Sequence, residues 1–247
     1  MTLYFIGLGL GDEKDITVKG LETIKKADKI YIEEYTSKLV RSTKEDLEKF
    51  YGKKIISADR NLVENKAEKT ILKDAKNKNV AFLIIGDPFS ATTHIDLKLR
   101  ADELGIKTKI ISNTSIINSI GITGLDLYKF GRTTTIPFDN KNIKSPYDIV
   151  KNNLKNKMHT LVLLDLDPAN NKYMTVNQAL QYLLKRGLSK NQLCIGCGGI
   201  GGEDPIIKSG KAKELLKKKF AKFPQCLIVA AKLHFMEEEA TRKFKNK

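Results

Sequence analysis

Two glycine-bearing turns hold the residues best suited to bind a ligand. The first, Gly7-Leu8-Gly9-Leu10-Gly11, follows an apolar run at 3–6 and precedes a helix-like stretch. Glycine at such a point lets a ligand approach the backbone and permits positive φ. The spacing is GxGxG, one residue short of the GxGxxG dinucleotide fingerprint. Glu33 and Glu34 end the next apolar run, where a ribose-binding acid would stand. Against a dinucleotide, Asp12, Glu13 and Asp15 set three carboxylates beside the loop, and these would repel a pyrophosphate at a helix N-terminus. A ligand without phosphate, or one with a positive centre, tolerates them. The second turn, Gly86-Asp87-Pro88, ends the apolar run at 80–85. Asp87 could accept from a ligand amine or hydroxyl, or it could stabilise the turn before Pro88. Ser112, Thr114 and Ser115 end a further run with hydroxyls and free N–H groups, whose commoner role is helix capping.

Other reactive residue types lack a usable pattern. Cys194 and Cys197 form one CxxC with no second pair, and Cys226 is distant. Zinc needs four ligands, and three-residue spacing on a strand sends two side chains to opposite faces. Buried free thiols are expected. His94, His159 and His234 show no HExxH pattern, and neither a GxSxG elbow nor a P-loop lysine motif is present. Chemistry that needs little acid–base machinery, such as methyl transfer from a sulfonium, fits this inventory better than hydrolysis.

Alternating strands and helices must position these turns. Strands are expected at 3–6, 29–33, 54–57, 80–85 and 107–111, with helices at 17–27, from a Ser42/Glu45 capping box, at 62–76 and at 93–104 with a Thr93/Asp96 box. Apolar strands separated by helices imply parallel pairing with both faces covered. Beyond Ser112 the pattern shifts. A short helix is expected at 113–121, antiparallel strands at 125–130 and 133–138, and helices opening at Ser145-Pro146 and at Thr175 with Gln178. Strands at 160–164, 193–197, 206–209 and 227–230 and helices at 211–220 and 235–244 complete the chain. The fold class is α/β, in two domains, residues 1–112 and 113–247, each a mostly parallel or mixed sheet flanked by helices.

The chain has 247 residues, 41% hydrophobic and 30% charged, which excludes disordered, collagen-like and coiled-coil classes. No apolar run approaches the roughly 20 residues that span a bilayer. The start has no basic region and reads as strand and loop, so a cytoplasmic setting is expected, in keeping with three sparse cysteines. The net charge is +15, carried by 38 lysines and six arginines. Nucleic-acid recognition favours the planar arginine fork, so the excess is read as a solvated surface, or as attraction to an acidic protein partner.

Five pieces in order, YFIGLGLGDEKDITVKGLE, GDPFSATTH, ITGLDLYKFGRTT, YMTVNQAL and KLHFMEE, resemble the diphthine synthase family of tetrapyrrole-methylase-like (class III) methyltransferases. The resemblance spans essentially the whole chain. It implies a homodimer of two α/β domains with S-adenosylmethionine in the cleft between them. It implies methylation, in archaeal members trimethylation, of the amino group of a 3-amino-3-carboxypropyl chain on a histidine of translation elongation factor 2, in diphthamide biosynthesis. Eukaryotic members add a methyl ester. By motif, the implied cofactor contacts are Leu10, Asp87, Ser90, Ser115, Ile116, Leu164, Ile200 and His234. Ser90 stands where relatives often have valine, which points to a main-chain contact. Ile200 lies in CIGCGGIGGEDP, richer in glycine than the family's LARAGS-type stretch. No metal and no unique general base is implied. Two other readings stay open on the residues: a corrinoid or porphyrin methylase of the same fold, and a Rossmann-type nucleotide-binding oxidoreductase.

Overall fold

The computed structural model describes residues 1–245. The chain divides into two compact units, Met1–Ile117 and Asn118–Lys247.

Unit 1 carries β1 (Thr2–Gly7), α1 (Val18–Lys26), β2 (Lys29–Glu33), α2 (Lys44–Tyr51), β3 (Ile56–Ala58), α3 (Arg60–Asn65), α4 (Ile71–Asn77), β4 (Val80–Ile84), α5 (Ile95–Glu103) and β5 (Lys107–Ile111). The strands lie in the order β3-β2-β4-β1-β5, and every neighbouring pair is parallel. Side chains alternate across a strand, so β1 sends Leu3 and Phe5 to one core and Ile6 to the other. Phe82, Leu72 and Leu97 fill the first; Ile24, Ile32 and Leu83 fill the second. At the two edges stand β5 and the three-residue β3, and in β5 Lys107 and Lys109 are exposed.

Four expectations need correction here. Ser42 does not cap α2: its hydroxyl is taken by Glu13, so Thr43 caps with Asp46. Thr93 and Asp96 form no capping box, because the Asp96 carboxylate pairs with Arg100 at 2.9 Å. The long helix at 62–76 is broken: Thr70 leaves helical geometry, and its hydroxyl bonds back to the Lys66 carbonyl at 2.8 Å. The third strand, expected at 54–57, begins two residues later, as β3.

A short helix, α6 (Ile116–Ser119), leads into unit 2, which holds β6 (Thr134–Ile136), α7 (Ser145–Lys155), β7 (Thr160–Leu164), a small hairpin of β8 (Leu166–Asp167) and β9 (Lys172–Tyr173), α8 (Val176–Lys185), β10 (Leu193–Gly198), β11 (Ile206–Lys211), α9 (Ala212–Leu215), β12 (Gln225–Val229) and α10 (Phe235–Arg242). The main sheet runs β11-β10-β12-β7-β6, antiparallel except for the β6–β7 pair. No antiparallel hairpin forms around Gly131. Asp126 instead caps a single 3-10 turn at Leu127–Lys129, and β6 pairs parallel with β7. The helix expected at 211–220 shortens to α9. The core joins Val150, Leu180 and Leu183 to Val162, Leu227 and Val229. All three cysteines are buried; Cys197 faces Cys226 across the β10–β12 pair, and burial pushes the Cys194 thiol up to about 12. No helix among the described residues is long and apolar enough to cross a membrane.

Gly196 leaves no room for a side chain: a Cβ there would stand 2.4 Å from Phe220 Cζ and 2.9 Å from Val176 Cγ1. Gly196→Ala is expected to cost unit 2 about 1–3 kcal/mol through overpacking, read as a lowered melting temperature; an unchanged melt would contradict this packing.

Candidate functional site

In unit 1 the chain leaves β1 for β2, which lies beyond β4, and leaves β4 for β5, which lies beyond β1. The two connections therefore depart in opposite directions above a neighbouring pair. Open parallel sheets bind ligands at such a reversal, outside the carboxyl ends of the strands. The two glycine turns meet there. Gly86 N–H donates to the Gly9 carbonyl at 2.8 Å, and Gly9 N–H donates back to Gly86 at 3.3 Å. A Cβ on Gly7 would fall 2.6 Å from the Gly86 carbonyl oxygen and 2.8 Å from Asn113 Cβ, so only glycine fits. Gly86 itself has φ +86, and the space its missing side chain leaves is bordered by Leu10 Cδ2 at 3.6 Å, the Thr114 carbonyl at 3.8 Å and Ser115 Cα at 3.9 Å.

Of the residues named from sequence, Leu10, Asp87, Ser90, Ser115 and Ile116 all follow β1, β4 or β5 at this edge. The Leu10 carbonyl accepts from Val40 N–H. Asp87 faces inward. Its Oδ2 accepts from Asn113 N–H at 3.2 Å, and its Oδ1 accepts from Phe89 N–H and from the Ser90 hydroxyl, each at 3.1 Å. Of the two roles open to Asp87, its bonds serve the turn. Asn113 went unnoticed in the sequence. Its side-chain amide donates to the Gly7 and Asp15 carbonyls, both at 3.0 Å, and so ties β5 to the first loop. The polar run at 112–115 was its only signal.

The acids of this edge are already partnered. Asp15 Oδ2 accepts from Gly11 N–H at 2.7 Å, Asp12 pairs with Arg41 at 3.0 Å, and Glu13 takes the Ser42 hydroxyl. The Lys14 backbone bond and Arg41 outweigh the burial of Asp12 and hold its carboxyl below the usual range. Glu33 is wholly buried and accepts from Tyr35 N–H, Thr36 N–H and the Thr36 hydroxyl. Burial pushes its carboxyl up in spite of those bonds. Glu33 therefore does not stand open to a ribose, while Glu34, the other acid at the end of β2, is half-buried.

In unit 2, Leu164 is the last residue of β7, and Ile200 is buried just past β10, after Gly199 at φ +66. His234 caps α10, its Nδ1 accepting from Met236 N–H at 3.2 Å. One residue that sequence reasoning missed organises this end. Glu237 is 1% exposed; its Oε1 accepts from His159 Nε2 at 2.9 Å and Asp126 N–H at 3.1 Å, and its Oε2 from Lys129 Nζ and from His234 N–H at 3.0 Å. Burial alone would raise its pKa; the Lys129 ammonium and the other donors outweigh that and hold it at about 2. Burial likewise lowers His159, against the pull of Glu237. Its Nδ1 accepts from Ala231 N–H at 2.9 Å, so the neutral ring carries its proton on Nε2. These partners lie 78 to 111 residues apart in the chain, which no local spacing reveals.

Residues 2–216 match the family of tetrapyrrole (corrin/porphyrin) methylases. A diphthine methyl ester synthase of Dictyostelium discoideum is 46% identical, with 100% of this chain and 99% of that protein covered. A diphthine synthase of Methanocella arvoryzae is 44% identical, with 96% of each chain covered. Among solved structures, a crystal structure of diphthine synthase superposes with a TM-score of 0.93 at 38% identity, covering 100% of this chain and 96% of that one.

The charge on Glu237 gives a pH signature. A carboxyl held at about 2 rather than 4.5 stabilises the fold above its unfolded pKa, and that stabilisation is lost as pH falls from about 4.5 towards 2. Glu237→Gln is therefore expected to be less stable than the parent by about 3 kcal/mol at neutral pH. The gap should close through that acid window in denaturant melts. A gap independent of pH would show that the charge is not what holds these donors.

Proposed function

The chain belongs to the tetrapyrrole methylase family, in its diphthine synthase branch, and from that membership we propose that it transfers methyl groups from S-adenosylmethionine to a modified histidine of a protein in diphthamide biosynthesis. The acceptor in this reading is the amino nitrogen of the 3-amino-3-carboxypropyl group on translation elongation factor 2, and the product is its trimethylated form, diphthine. The observation that carries the reading is full-length identity of 44% and 46% to relatives bearing those names.

The unit-1 edge fits such a donor. The recess at Gly86 would be filled by a Cβ; it is bordered by an apolar side chain, Leu10, and by a carbonyl oxygen, Thr114. Neither border is built for phosphate, and the nearby carboxylates tolerate a positive centre. Leu10, Ser115 and Ile116 would line the donor, with Asp87 and Ser90 holding the second turn in shape for it. Leu164, Ile200 and His234 complete the proposed contacts. The donor supplies a methyl carbon already activated by a positive sulfur. What the protein must add is placement, with the attacking nitrogen about 3–3.5 Å away and in line. The acceptor amine must arrive unprotonated, and the site needs room for its nitrogen to turn between transfers. Homodimeric assembly and a cytoplasmic setting belong to the same proposal.

Incubation with S-adenosylmethionine and elongation factor 2 bearing the amino-carboxypropyl histidine should add three methylene masses in intact-protein mass spectrometry. A fourth would identify a carboxyl ester as well, and no gain would refute the substrate. Asp87→Ala frees Asn113, Phe89 and Ser90 together, and should weaken donor binding about tenfold or more in calorimetry. Undiminished affinity would count against this edge as the donor site.

A further inference from the structure

The 231–234 segment, which ends in His234, is held at three backbone points. Ala231 N–H donates to His159 Nδ1 at 2.9 Å, the Lys232 carbonyl accepts from Lys129 Nζ at 3.0 Å, and His234 N–H donates to Glu237 Oε2 at 3.0 Å. All three trace to one carboxylate, because His159 and Lys129 are themselves bonded to Glu237. We propose that Glu237 is a positioning residue for methyl-donor binding, setting the 231–234 segment so that His234 meets the donor. This rests on the reading of His234 as a donor contact.

Two features make the device specific. First, the His234 ring has its Nδ1 occupied by Met236 N–H, so in the neutral ring the proton sits on Nε2. That nitrogen lies 3.9 Å from Glu237 Oε2, beyond hydrogen-bond reach, and the side chain is 45% exposed, which leaves an N–H donor for a ligand. Second, glutamine cannot replace Glu237. Each carboxylate oxygen accepts from two donors, so whichever way a glutamine amide turns, its NH2 faces a pair of donors. Asp126 N–H belongs to the same set and brings in the loop before the Leu127–Lys129 turn. That loop is pressed onto α10, where a Cβ on Gly124 would stand 2.2 Å from Ala240 Cβ.

The test is the dissociation constant for S-adenosylmethionine, measured at a temperature where each variant retains its far-ultraviolet circular dichroism. Glu237→Gln should weaken binding about tenfold or more. Lys129→Met, which removes one donor and is the milder change should Glu237→Gln not fold, should weaken it in the same direction by a smaller factor. Ser209→Ala removes a buried bond to the Thr241 carbonyl of α10 without touching 231–234, and should lower the melting temperature at full donor affinity. Equal losses in Ser209→Ala and Glu237→Gln would reduce Glu237 to a structural role and overturn the proposal, as would parental affinity in Glu237→Gln or, if that variant does not fold, in Lys129→Met. His234→Ala separates the two readings. If it binds normally, the His234 assignment fails, and this proposal with it. If it binds weakly while Glu237→Gln binds normally, only the role of Glu237 fails.

Discussion

The backbones leaving β1 and β4 touch at Gly9 and Gly86, and the architecture of the unit-1 edge depends on that contact. Two reciprocal N–H to carbonyl bonds bring the loops together, and Gly7 lies against the Gly86 carbonyl at a distance no Cβ could occupy. Because the loops are joined backbone to backbone, their outer surface is held by the parallel strands beneath them and braced by the Asn113 and Asp87 side chains. The recess at Gly86 follows from this, as does the need for Asn113 to brace both loops from the neighbouring strand.

The charged groups of this edge are spent on construction. Asp12, Glu13, Asp15, Asp87 and Glu33 each accept from a backbone or side-chain donor of their own unit. That distribution suits a reaction driven by alignment rather than by proton relay. Displacement at a carbon bound to a sulfonium needs proximity and a free amine rather than a charged side chain that moves protons. Unit 2 follows the same economy, with its one deeply buried carboxylate given wholly to backbone anchoring and side-chain orientation.

Local sequence pattern made much of this legible. Strands β2, β5 and β7 fall where their apolar runs predict, and the Thr175/Gln178 box caps α8 as its spacing requires. Errors arose where another partner, near or distant in the chain, claimed the group that the spacing assigned to a cap or strand. Glu13 took Ser42 and moved the cap to Thr43; Arg100 took Asp96 and dissolved a box; the Asp126 turn replaced a hairpin. The meeting of the two glycine turns was readable because glycine turns after apolar strands are a contiguous signal. The Glu237 network was not, since His159, Lys129 and Asp126 lie far from it in the chain and none carries a motif alone.

The abundant lysines acquire one definite consequence at the margins of the unit-1 sheet. A parallel sheet ends in unpaired backbone groups that invite another strand to add. One margin here is only three residues long, and the other presents Lys107 and Lys109 from β5. Charged side chains on such a margin oppose the docking of a like edge, and here one of the two ammonium groups, that of Lys109, lies over the Tyr4 ring of the adjacent strand at 5.9 Å.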